Sequence, residues 1–155
     1  EHYNADEIAK RYKQESQLLD AVRRCDFEYL SRLFSSFDIN ESVEKRNKNP
    51  VRNIQNYSII MNTLLRKTAY DAGVEAVYVD RLSSAFGKRI ESLSTSMAAS
   101  NIMIEMLSEY AYLIRDYSWS GYPEAIKTVR FIVDSRYKEH LTLDDLCRSA
   151  GLSKS

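Results

Sequence analysis

The stretch TLDDLCRSAGLSKS, residues 142–155, carries the most specific chemistry in the chain. A helix-turn-helix needs a small residue inside its first helix, because the second helix crosses there at close range. It needs Gly about four residues later, where the turn wants a left-handed backbone, and then an apolar residue and a cap to start the second helix. Cys147, Gly151, Leu152 and Ser153 fill these places in order, and Leu146 belongs to the same structural set. The chemistry on offer is base readout, in which polar side chains of the second helix reach base edges in the major groove. A capped helix closed by a Gly stop gives the same local pattern, so the motif alone leaves both readings open.

Three other groups of residues could bind something. Arg52, Asn56, Thr63 and Arg66 fall within one arc of a long helix, opposite its apolar stripe. They are a polar face for an anionic effector or a partner, or else side chains that bond to neighbouring loops and helix ends. The run Lys45-Arg46-Asn47-Lys48, with Arg52, could touch phosphates or stand solvated. The eleven tyrosines sit mostly at helical core spacing, where a polar tip finds a hydrogen bond, rather than in a ligand cage.

Catalysis finds little to work with. His2 and His140 are the only histidines, and no HExxH or ExxH pairing occurs, so no standard zinc or di-iron site is expected. There is no Gly-rich phosphate loop and no local Ser, His and acid motif. Cys25 follows Arg23 and Arg24, which could lower its pKa, but a structural cysteine at a helix end is the simpler reading. Cys25 and Cys147 are far apart and fit no metal or redox spacing. We therefore expect no metal, no cofactor and no enzyme.

The elements that position these residues are helices. Residues 5–24 are amphipathic, with Ile8, Tyr12, Leu19 and Val22 on one face. Asp26 caps a second helix in which Phe27, Leu30, Phe34 and Phe37 repeat at three and four. Residues 38–49 are a polar loop. Pro50 opens a long helix that Gly73 stops, with Ile54, Tyr57, Met61, Leu64, Leu65, Thr68 and Ala72 as its apolar face. Ile59 and Ile60 lie off that stripe, which predicts cover on more than one side. Helices follow at 78–93 and 97–117. The second has a stripe broad enough (Ala98, Ile102, Met106, Tyr110, Leu113 and Tyr117, widened by Met103, Leu107 and Ile114) for full burial within the domain or for a helix–helix dimer. The run from Ser118 to Pro123 breaks the pattern. A helix over 123–138 comes next, and Thr142 starts a short one, with Asp145 completing a shortened capping box. The expected class is all-α: a helical domain over 1–118, a hinge at 119–121 and a second domain over 122–155.

Composition agrees. The 155 residues carry 22 Lys+Arg and 22 Asp+Glu, so the surface is no polycation, though a small basic reading head remains open. Four Gly and two Pro are too few for a small all-β fold. No apolar run approaches the roughly 18 residues of a membrane span, and no targeting segment is read, so we expect no membrane contact and a cytoplasmic setting. The chain opens on Glu1 rather than Met, and a longer parent is expected.

With the preceding helix included, YPEAIKTVRFIVDSRYKEHLTLDDLCRSAGLSKS (122–155) resembles the start of the DNA-binding domain of the AraC family of bacterial transcription regulators. Upstream, NPVRNIQNYSIIMNTLLRKTAYDAGV (49–74) and YVDRLSSAFGKRIESL (78–93) resemble a form of that family common in Gram-positive bacteria, and QLLDAVRRCDFEYLSRLF (17–34) does so more loosely. The resemblance covers most of the chain. It implies two helix-turn-helix units in the whole domain, with Ser153, Lys154 and Ser155 opening the first recognition helix. Cys147 departs from the Ala common at its position, but it is small enough for the crossing. The implied partners are promoter DNA, a second copy, and an upstream sensor or receiver domain. The other class of function left open is a helical dimerisation or interaction module with no direct DNA contact.

Overall fold

The computed structural model describes residues 5–36, 47–118 and 121–153. The chain is all-α. Its helices are α1 (Ala5–Arg23), α2 (Phe27–Ser36), α3 (Pro50–Asp71), α4 (Ala76–Glu91), α5 (Ser96–Tyr117), α6 (Glu124–Arg136) and α7 (Leu143–Ser149). Among the described residues there is no strand, only an isolated bridge between Val74 and Ser118. No helix among them is long and apolar enough to cross a membrane. The chain divides into two compact units, residues 1–118 and 119–155.

In the first unit α3 and α5 are central. α3 packs on α1, α4 and α5, while α5 also meets α1, α2 and α4. Four neighbours explain the broad stripe of α5: Ile102, Met103, Met106, Leu107, Tyr110, Ala111 and Ile114 are all buried within the unit. Leu18, Ala21 and Val22 of α1 and Phe86 and Ile90 of α4 close the same core. Phe27 of α2 stacks on Tyr112 of α5 with ring centroids 4.7 Å apart, and the Arg115 guanidinium lies 4.8 Å from the Tyr112 ring.

The helix ends follow local chemistry. Asn49 caps α3 by accepting from the Val51 and Arg52 amides at 2.9 and 3.2 Å, and Pro50 takes the first helical position, where no N–H is needed. At its far end Val74 N–H donates to Ala69 O and Gly73 N–H to Tyr70 O, with Gly73 at φ 90. This is the Schellman pattern, and the positive φ requires Gly. α1 ends the same way: Asp26 N–H donates to Ala21 O and Cys25 N–H to Val22 O. Here the left-handed residue is Cys25, at φ 56, and its thiol donates to Ala111 O of α5 at 3.3 Å. Burial pushes the thiol pKa up, despite Arg115. Cys25 is thus a structural helix-end residue.

Three expectations for burial are corrected. Ile59 and Ile60 are 36% and 44% exposed, so α3 is not covered there. The second buried flank of α3 is polar instead: Gln55, Ser58 and Asn62 lie inside with Ile54, Met61 and Leu65. Tyr12 is 68% exposed, and Leu18, a residue outside the expected face, is buried in its stead. Ala98 is exposed as well. Phe37 lies outside the described residues.

Gln55 and Asn62 use their buried polar groups, whereas the Ser58 hydroxyl has no hydrogen-bond partner among the described residues. Gln55 Nε2 donates to Ile90 O at 3.2 Å and Leu93 O at 3.1 Å, satisfying carbonyls at the end of α4. Asn62 Nδ2 donates to Ser83 O at 3.0 Å and Ser83 Oγ at 3.3 Å, while its Oδ1 accepts from the Tyr110 hydroxyl at 2.7 Å. One side chain therefore ties α3, α4 and α5. Burial pushes the Tyr110 phenol up to about 12, although the Ser83 hydroxyl and the Arg66 guanidinium act the other way. The fold thus prefers the neutral phenol. Its contribution is whole below about pH 10, the ordinary tyrosine value, and is lost as pH rises toward 12, because only the unfolded chain ionises in that window. Urea midpoints should fall between about pH 9 and pH 11, and they should fall less in Tyr110→Phe. Equal falls would mean that the Tyr110 hydroxyl is open to water.

Candidate functional site

The second unit holds the motif. Thr142 caps α7 by accepting from the Asp145 amide at 3.2 Å, and the Asp145 carboxylate accepts from the Thr142 amide at 3.2 Å. This reciprocal pair is a capping box. The Thr142 hydroxyl and amide hold the Asp145 carboxyl below its usual range. At the other end Leu152 N–H donates to Cys147 O at 2.9 Å and Gly151 N–H to Arg148 O at 3.4 Å, with Gly151 at φ 64. These two bonds form a Schellman turn, which directs the chain away from the α7 axis at Leu152. Leu146 and Cys147 are half-buried, and Ser153 is exposed. Cys147 was expected to be buried at a helix crossing. It is half-buried, on a helix that packs against α6. Lys154 and Ser155, the other two expected DNA-reading residues, lie outside the described residues, as do Trp119 and Ser120 of the expected hinge.

A Cβ built on Gly151 meets nothing within 4 Å, so space is not what selects glycine there. The backbone is. Gly151→Ala should therefore cost about 1–2 kcal/mol, the price of a left-handed residue with a side chain, and Gly151→Asn distinctly less. Thermal melting of the two variants beside the parent chain checks this. Equal stability of the Ala and Gly forms would remove the turn.

The second unit has a further property. Neither α6 nor α7 has a buried residue, while Ile126, Phe131, Val133, Tyr137, Leu143 and Leu152 are all exposed. Their apolar side chains are partly covered at most, with Val129, Ile132 and Leu146 half-buried.

No family model, curated protein or solved structure matches the chain. The functional reading therefore rests on its own residues.

The four polar residues expected on the face of α3 are divided by the structure. Arg52 stands 3.9 Å from Glu91, a long and exposed ion pair, and Asn56 is half-buried nearby in sequence. Thr63 and Arg66 join a different feature, a groove of 490 Å³ between α3 and α4. Leu64, Ala76 and Val79 also line it, with Lys67, Tyr70 and Asp80. The Thr63 hydroxyl donates to Ile59 O at 3.0 Å. Sequence reasoning missed Lys67, Tyr70, Ala76, Val79 and Asp80 as one lining. No periodicity within α3 could have found α4's share of it. Of the basic loop, Lys45 and Arg46 lie outside the described residues, and the Asn47 amide donates to Asn53 Oδ1 at 3.2 Å.

Proposed function

We propose that the chain is part of a sequence-specific transcription regulator of AraC type, in which residues 1–118 form a helical regulatory or coupling domain and residues 122–155 open the DNA-binding domain. The observation that carries this reading is the turn at residues 147–152. A capped helix, a half-buried Cys147 and a left-handed Gly151 bring the chain to Leu152 with the backbone bonds a helix-turn-helix needs. The uncovered apolar surface of α6 and α7 supports it, because on this reading the recognition and connecting helices supply the cover. Promoter DNA is the partner of the whole protein. Upstream, a sensor or receiver domain provides the signal, and a homodimer and a cytoplasmic setting complete the reading.

Residues 1–155 should not bind DNA selectively. Three residues of a recognition helix are less than one turn, and so short a piece does not hold a helix alone. Residues 122–155 carry six Lys+Arg and five Asp+Glu, a surplus of one, so non-specific attraction is weak too. A gel-shift titration compares this chain with one extended through a second helix-turn-helix unit. Selective binding by the extended chain alone is expected. Failure of the extended chain on every candidate promoter would favour the helical interaction module, with the apolar face of α6 and α7 as its docking surface.

A further inference from the structure

The groove between α3 and α4 has a chemistry of its own. Its apolar lining is Leu64, Ala76 and Val79, of which Val79 is buried, Leu64 half-buried and Ala76 exposed. Its 490 Å³ falls in the range of small-molecule sites, about 300–1,000 Å³. Its α3 wall runs from Thr63 to Tyr70, about 10 Å at the helical rise, which suits a two-ring molecule better than a peptide helix. The charges on the rim are not equivalent. Lys67 is paired with Asp71. Arg66 makes no ion pair among the described residues, and Asp80 stands on the opposite wall. Among the described residues the groove therefore offers one unpaired guanidinium, on the α3 side, beside the apolar lining. An ion pair formed at the edge of such a lining is shielded from water on one side and gains strength from that.

The groove also lies next to the point where the chain leaves the first unit. Tyr70 and Ala76 line it, and the turn between them, residues 72–75, holds Ser118. The Ser118 hydroxyl donates to Ala72 O, Val74 and Ser118 form the isolated bridge, and Tyr78 packs on Tyr117 with centroids 4.7 Å apart. The turn is the direct chain connection between α3 and α4, and it carries the contacts to Ser118.

We propose that the α3–α4 groove is an effector site for a small amphiphilic molecule with one anionic group, its apolar body on Leu64 and Val79 and its anion on Arg66, and that occupancy shifts the turn that holds Ser118. The site lies wholly within residues 5–118, so it stands or falls separately from the DNA reading.

Naphthalene-1-sulfonate serves as the probe, with 1-naphthalenemethanol as its uncharged counterpart, in a titration of the 15N-labelled chain of residues 1–155 followed by amide shifts. The sulfonate should move the amides of Leu64, Arg66, Ala76 and Val79, and also those of Val74 and Ser118. Arg66→Gln should weaken the sulfonate about tenfold, the loss of one charge-assisted contact, and leave the alcohol unchanged. Ala76→Phe, at an exposed position of the groove, should weaken both probes, and its melting temperature shows whether the fold is kept. Shifts scattered elsewhere, or equal sulfonate affinity in Arg66→Gln, would overturn the site. Groove shifts with Val74 and Ser118 unmoved would overturn the coupling.

Discussion

Phe86→Ala should destabilise the first unit by about 3–5 kcal/mol, the range for emptying a large aromatic site. Phe86 is buried in α4 and faces Tyr110 of α5 with centroids 6.3 Å apart. The Arg89 guanidinium lies 5.2 Å from its ring. Arg89 is held in turn by two bonds to Glu105 of α5, at 2.6 and 2.5 Å. The ring therefore fills the space between two helices whose polar contacts keep them from closing over a cavity. Domains of this kind have about 5–15 kcal/mol in total, so the variant should melt far lower, by about 2–8 °C per kcal/mol lost. A urea titration of helicity checks it. A loss below about 1 kcal/mol would mean that α4 does not pack on α5 through this side chain.

Asn62→Leu should cost about 3 kcal/mol, and for a different reason. The new side chain is near in size but cannot bond, and it leaves the Tyr110 hydroxyl buried without an acceptor. An orphaned buried group costs about 1–3 kcal/mol, and the branched side chain adds some strain. Tyr110→Phe should cost about 1–3 kcal/mol by stranding Asn62 Oδ1. The double variant removes donor and acceptor together and should lose less than the sum by at least about 1 kcal/mol. Strict additivity of the two losses would show that the bond is not made.

These two sites mark how much was legible in the sequence. Helix positions and the stops at Gly73 and Gly151 follow from spacing and backbone chemistry, which are local. The broad α5 stripe was legible as a set of residues, though its four intramolecular neighbours were not. Asn62, Gln55 and Ser58 were not picked out, because polar residues carry no burial signal in a periodicity, whereas here two of them bond to groups on other helices that no local pattern contains. Ile59 and Ile60 were misplaced because the polar flank took the buried side. Cys25 was read correctly as a helix-end residue, but its left-handed backbone was hidden because glycine is the usual signal for it. Of the candidate sites, the turn over 147–152 was legible because its residues are contiguous. The α3–α4 groove was only half legible, through Thr63 and Arg66, because its other wall comes from a second helix.

The central claim is that residues 122–155 open a DNA-reading domain, and the direct measurement is on Ser153, Lys154 and Ser155. In the chain extended through the complete second domain, replacing all three with Ala should weaken binding to the specific promoter by at least tenfold. Each good base contact is worth about 1–3 kcal/mol, while binding to unrelated duplex should hardly change. Fluorescence anisotropy with both duplexes at one salt concentration gives the comparison. Loss confined to the specific site is the predicted result. Unchanged specific binding in a folded triple variant would contradict the assignment of these residues to a recognition helix.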